Sequence, residues 1–330
     1  MIEVRDLAKR YGPVEAVKGV SFTVGEGQVL GFLGPNGAGK STIMKILTGC
    51  RFPSSGEALV DGISVQDNPV EVKRRTGYLP ENVPLYGELS VLEYLGFIAQ
   101  ARGIPGEGRR RAMERSVALC GLGRVRAQRI DTLSRGFRQR VGLAQAIMHD
   151  PRVLILDEPC SGLDPNQIIE IRSLIRELGR RKTVILSTHI LQEVEAVCSE
   201  VLILSEGRIA AQGKPGEIAG TMQAEAASQG SREAWELVLK GAGAAVVEKL
   251  LGELPGVSGL RVGAGHEGVE AVFCLDKAGG SGDAIFDWAV SKGLKLLKMN
   301  RKDISLEDMF VKLTTGQISL KAGAERRPPP

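Results

Sequence analysis

Gly34-Pro35-Asn36-Gly37-Ala38-Gly39-Lys40-Ser41-Thr42 decides how this chain is read. The apolar run Val29-Leu30-Gly31-Phe32-Leu33 precedes it, and Ile43-Met44-Lys45-Ile46-Leu47 follows. That order predicts a strand, a glycine-rich turn and a helix. A phosphate needs backbone N–H groups aimed at it with no Cβ in the way, and Gly34, Gly37 and Gly39 meet that need. A helix beginning near Lys40 adds the positive end of its dipole. Lys40 is placed to reach the β- and γ-phosphates of a nucleotide, and the Ser41 hydroxyl to bind Mg²⁺. The whole stretch, with Pro35, Asn36, Ala38 and Thr42, is the expected phosphate-binding loop.

Further along, Val153-Leu154-Ile155-Leu156 and Thr183-Val184-Ile185-Leu186 are continuous apolar runs, the pattern of parallel strands buried on both faces. The first ends in Asp157-Glu158, and ligand sites of parallel α/β sheets lie at that end. Asp157 is suited to hold Mg²⁺, directly or through its waters. Glu158 is suited to orient or deprotonate an attacking water. Residues 2 to about 30 read as two or three strands with a turn at Tyr11-Gly12-Pro13. A helical block spans about 90–149, where Leu92, Leu95, Phe97 and Ile98 repeat at helical spacing. Ile190–Val197 reads as an amphipathic helix, and Val201–Ala210 as a hairpin turning on Glu206-Gly207.

Composition is that of a globular protein: 330 residues, 43% apolar and 25% charged. A net charge of +4 with only 4% aromatic residues argues against a nucleic-acid partner. Five scattered cysteines, with no Cys-x-x-Cys pair, fit free thiols in a reducing cytosol. No apolar run reaches the length of a membrane span, so work at a membrane would require a partner. Composition shifts near residue 220, where small polar residues suggest a linker over 221–232. Beyond it we read strand 234–239, helix 243–253, strand 257–262, strand 269–274, helix 281–292 and strand 294–300. That β-α-β-β-α-β order predicts a ferredoxin-like sandwich. A last helix is expected over about 305–314, closing a module of 233–314, with a disordered tail at 315–330.

The remaining motifs resemble the ATP-binding-cassette (ABC) family over about residues 1–220. Leu133-Ser134-Arg135-Gly136-Phe137-Arg138-Gln139-Arg140 is similar to the family's signature loop, usually Leu-Ser-Gly-Gly-Gln, with Arg135 and Phe137 as departures. Ser161-Gly162-Leu163-Asp164-Pro165 is similar to its D-loop, and Ser187-Thr188-His189 to the strand end that carries the switch histidine. Gly77-Tyr78-Leu79-Pro80-Glu81-Asn82 stands where the family has its glutamine loop, with Glu81 in place of the usual glutamine. This wording, and Ile304-Ser305-Leu306-Glu307-Asp308-Met309-Phe310, resemble the ATPase subunits of type-2 ABC exporters, gliding-motility-like members included.

The resemblance implies an α/β P-loop NTPase fold, with a RecA-like core sheet, an antiparallel β subdomain and an inserted α-helical subdomain. It implies ATP as ligand, Tyr11 stacked on adenine, His189 at the γ-phosphate, Asp164 near the nucleotide and Glu81 at Mg²⁺. Ser134 and Gly136 would act on the nucleotide of a second cassette, in a homodimer or a heterodimer with a relative. Catalysis would then rest on Glu158, His189 and Lys40. The expected function is the cytoplasmic ATPase subunit of an exporter, held at the inner membrane face by a separate integral membrane subunit. Two alternatives stand beside it: a soluble ABC ATPase bound to ribosomes or DNA, and an ATP-sensing regulatory module.

Overall fold

The structure, a computed structural model, describes residues 1–218, 232–265, 267–276 and 282–302. The chain divides into two compact units, Met1–Pro215 and Gly216–Lys312. The expected helix at 305–314, the tail at 315–330 and the linker at 221–232, apart from Arg232, lie outside the described residues.

The first unit carries two sheets. β1 (Ile2–Tyr11), β2 (Val14–Val24), β4 (Ser55–Val60) and β5 (Ile63–Ser64) form an antiparallel sheet in the order β2-β1-β4-β5. The second sheet has six strands: β3 (Val29–Leu33), β6 (Thr76–Leu79), β7 (Val153–Asp157), β8 (Thr183–Thr188), β9 (Glu200–Ser205) and β10 (Arg208–Gly213). Its order is β10-β9-β3-β8-β7-β6, parallel throughout except for β10 against β9. β3, β7 and β8 are buried at every position, as their unbroken apolar runs require.

Alternation along these strands builds two cores at once. Leu154 and Leu156 point to one face, packed with the helices α3 (Val91–Ala101), α5 (Arg135–Ile147) and α6 (Pro165–Gly179). Val153 and Ile155 point to the other, packed with α1 (Lys40–Leu47) and the antiparallel sheet. Phe22 meets Phe32 edge-on across that second core at 5.4 Å between centroids. α4 (Gly106–Leu119) packs beside α3, which starts at a Ser90–Glu93 capping box. Phe97 is 48% exposed, while Val91, Tyr94, Leu95 and Ala99 fill the core. Helical spacing marks a stripe but not its edge, and Phe97 falls outside it.

The second unit is a four-stranded sheet of β11 (Arg232–Lys240), β12 (Val257–Ala264), β13 (Val269–Asp276) and β14 (Lys295–Lys302) in the order β12-β13-β11-β14. All pairs are antiparallel. With α8 (Ala244–Gly252) after β11 and α9 (Gly282–Ser291) after β13, this is the ferredoxin-like arrangement. Trp235, Leu237 and Leu239 of β11 and Ala271, Phe273 and Leu275 of β13 share one face, covered by Val247, Leu251, Ile285 and Trp288 of the helices.

Candidate functional site

The glycine turn joins β3 to α1. Gly37 and Gly39 hold φ of 84° and 104°, which a side chain would strain. Gly39 is the N-cap of α1, and no side chain caps that helix. The first amides of α1 are therefore free of side-chain acceptors, as an anion site requires. Two glycines also serve the protein's own packing. A Cβ on Gly34 would lie 2.6 Å from the Leu204 carbonyl oxygen, and one on Gly39 would lie 2.7 Å from that of Ala16. Sequence reasoning gave all three glycines to phosphate approach; two of them also let neighbouring backbone in.

Lys40 is 6% exposed, and its ammonium donates to the carbonyls of Gly34 at 2.5 Å and Pro35 at 3.2 Å. Burial lowers its pKa, while the charges of Glu158, Asp157 and Glu81 act the other way. Ser41 Oγ donates to Asp157 Oδ1 at 3.3 Å. A hydroxyl and a carboxylate from two different elements thus converge, and both are hard oxygen donors of the kind Mg²⁺ prefers.

Asp157 ends β7 in register with Ser187 of β8, and Glu158 follows it directly. Ser187 Oγ donates to Asp157 Oδ1 at 2.5 Å and accepts from the Glu158 amide at 2.9 Å. The serine orients the Asp157 carboxylate and pins the backbone of the neighbouring acid. Glu158 adopts φ of 50°, a left-handed conformation rare for a residue with a side chain and often kept at functional sites. Its carboxylate is 11% exposed and lies 3.1 Å from His189 Nδ1. Burial raises the Glu158 pKa; the bond to His189 and the charges of His189 and Lys40 oppose that rise. A carboxylate with a raised pKa is a better proton acceptor for water.

A second buried acid supports the loop after β8. Glu193 of α7 (Leu191–Val197) is 4% exposed and accepts from Thr188 Oγ1 at 2.7 Å. Thr188 Oγ1 in turn accepts from the Ile190 amide at 3.0 Å, so the bonds bracket His189 on both sides. Arg172 of α6 approaches Glu193 at 4.0 Å. The buried Cys160 thiol, its pKa pushed up to about 12 by burial first and then by Glu193, lies beside it. Sequence reasoning assigned no role to Ser187, Thr188 or Glu193. The polar close of a buried strand, Ser187-Thr188, was the one signal that pointed to the first two.

Of the other expected site residues, Glu81 reaches the cluster through its charge on Lys40, while Ser134, Gly136, Asp164 and Tyr11 make their contacts elsewhere. Ser134 caps α5, its hydroxyl accepting from the Phe137 amide at 3.4 Å. Gly136 packs so closely on Gln167 that a Cβ would collide with that side chain. Arg135 donates to Ser161 Oγ at 3.3 Å, joining the signature segment to the turn before α6. Asp164 caps α6 through the Gln167 amide at 2.9 Å. Tyr11 is 43% exposed at the end of β1, with the Lys9 ammonium 5.2 Å from its ring centroid. Glu81 is exposed just beyond β6.

A phosphate loop between strand and helix, with paired carboxylates at the end of a parallel strand one place removed in the same sheet, defines a P-loop NTPase. The profile of the ABC transporter family matches residues 17–161. An uncharacterized ABC transporter ATP-binding protein of Bacillus subtilis, YxlF, is 33% identical over 313 residues, covering 95% of this chain and 99% of its own. The Nod factor export ATP-binding protein I of Ralstonia nicotianae is 35% identical over 219 residues, 66% of this chain and 68% of that protein. Among solved structures, a dimeric post-hydrolysis state of the cassette MJ0796 bound to ADP and Pi superposes with a TM-score of 0.60 at 25% identity. It covers 65% of this chain and 98% of that one. The chain belongs to the ABC transporter family, as an ATP-binding subunit. Among the described residues, no helix is long and apolar enough to cross a membrane.

Proposed function

We propose that this chain hydrolyses ATP at the cluster formed by Lys40, Ser41, Asp157, Glu158 and His189, and that hydrolysis drives an export transporter. The observation that carries the reading is the Glu158 carboxylate, buried and paired with His189, on the strand end whose other acid meets Ser41. Lys40 and the α1 amides bind the phosphates. Ser41 and Asp157 would hold Mg²⁺, which when bound neutralises charge on the phosphates; Glu81 is a further oxygen donor on an exposed loop. Glu158 takes the proton of the attacking water, and His189 keeps that carboxylate oriented while standing where a γ-phosphate oxygen can reach it. Tyr11, exposed at its strand end, stacks on the adenine.

Ser134 and Gly136 serve the nucleotide of a second cassette, a copy of this chain or a relative, and Asp164 lies in the same dimer interface. The dimeric MJ0796 cassette with ADP and Pi supports this arrangement. The named Nod factor exporter supports export. A separate integral membrane subunit would receive the motion at the inner membrane face. Tyr86 and Phe97 support it: both are about half exposed, and their rings meet at 5.6 Å on the surface of the helical block.

Glu158→Gln tests the reading. It keeps the side-chain shape and loses the base, so ATP hydrolysis should fall by about 10²–10⁴-fold. ATP should meanwhile accumulate the variant as a dimer on a sizing column. Hydrolysis near the parent rate would remove Glu158 from the role of base.

A further inference from the structure

Away from the nucleotide cluster, α2 (Pro69–Arg75), the α3–α4 turn and the segment after α5 surround an open cavity of about 710 Å³. Arg74, Arg102, Arg111, Arg115, His149 and Asp150 are among its lining residues. The turn Arg102-Gly103-Ile104 explains part of that convergence. Gly103 takes φ of 71°, and the Ile104 amide donates back to Ala99, so the chain reverses tightly at the end of α3.

The charges do not balance within the cavity. Asp150 is its one lining acid, and Lys182 already holds it at 2.6 Å. Arg74 and Arg111 have surface pairs, with Glu71 at 3.5 Å and Glu107 at 3.6 Å, worth little in water. Arg102 donates to the Lys73 carbonyl at 2.7 Å and Arg115 to the Met148 carbonyl at 3.1 Å. Neither has a carboxylate within ion-pair distance among the described residues. Each guanidinium has five N–H donors, and these bonds use few of them. Burial depresses the Arg102 pKa, the mark of a cation short of a counter-charge. His149 donates from Nε2 to the Thr76 carbonyl at 3.2 Å, which leaves a buried Nδ1 with no partner. Burial, and then the charges of Arg102 and Lys182, hold its pKa down at about 4.

We propose that this cavity is a binding site for a phosphate-bearing ligand, either a soluble phosphorylated molecule or a phospholipid headgroup. Guanidinium forks match phosphate oxygens bidentately, and four arginines lining one cavity favour a dianion over a single carboxylate. The volume lies in the range of small-ligand sites. The site owes nothing to the nucleotide reading, since none of its residues belongs to that cluster.

Inorganic pyrophosphate is the probe, titrated calorimetrically into the full chain carrying Lys40→Ala, so that the phosphate loop contributes little. Binding at submillimolar concentration is expected. Arg102→Gln or Arg115→Gln in that background should weaken it about tenfold each, the loss of one good charge-assisted contact. Should either variant fail to fold, the exposed pair Arg74→Gln with Arg111→Gln should still weaken binding severalfold at unchanged melting temperature. No pyrophosphate binding, or binding indifferent to all four substitutions, overturns the site. Flotation with phosphatidylcholine vesicles, with and without phosphatidic acid, separates the sources. Recruitment by phosphatidic acid that Arg102→Gln abolishes assigns the headgroup. Pyrophosphate binding without such recruitment assigns the soluble ligand.

Discussion

The first unit holds two polar constellations of opposite character. Around Asp157, Glu158 and Ser187 the groups are buried and bonded to one another across β7 and β8, with buried Lys40 held by the Gly34 and Pro35 carbonyls at the end of β3. Around Ser134, Gly136 and Asp164 the bonds are local: Ser134 and Asp164 cap their own helices, and the Gly136 backbone packs on Gln167 of the next. The first is assembled by sheet topology within one chain. The second has its oxygen atoms near the surface, spent on helix termini that an incoming phosphate could share. A complete site on one chain would need no second constellation; the proposed site uses both, from two chains.

The contrast predicts how variants should differ. Lys40→Ala removes the only buried cation of the first cluster among the described residues and should cut ATP turnover about a hundredfold or more, with weaker nucleotide binding, read by phosphate release and by titration. Ser187→Ala strands the Glu158 amide and leaves Asp157 Oδ1 only the longer bond from Ser41. A destabilisation of about 1–3 kcal/mol is expected from denaturant melts, with kcat lowered about tenfold. Parent-like stability in that variant would show that the strand ends hold their geometry without the bridge.

The pH profile sharpens the same side. Glu158 must be ionised to accept a proton, and its pKa lies above the ordinary 4.5 because burial disfavours the charge. The acid limb of kcat should therefore lie above pH 4.5. His189 acts to lower that pKa, so His189→Ala should move the limb to higher pH as well as slow turnover. A limb unmoved or shifted down would separate His189 from Glu158. The smallest effect belongs to the second constellation. Ser134→Ala should cost about 1 kcal/mol in melts, the worth of an N-cap.

Local order made most of this legible. The phosphate loop, the buried strands and the βαββαβ order of the second unit are contiguous patterns, and the backbone follows them closely. Ser187 and Glu193 were not legible, because their roles depend on which strands and helices become neighbours. Ser187 bonds a residue thirty positions away only because β8 lies in register with β7. Phe97 shows the same limit, since periodicity marks an apolar stripe without fixing where cover ends. The arginine cavity draws on residues from 74 to 150, with no spacing to betray it.

Subunit mixing tests the two-chain site most directly. Lys40→Ala and Ser134→Arg chains should each be nearly inactive alone. Mixed in equal amounts, they form heterodimers in which the intact lysine of one chain faces the intact serine of the other, and ATP hydrolysis should reappear. If the mixture shows no more activity than its two components measured apart, both loops act within one chain and the paired arrangement is wrong.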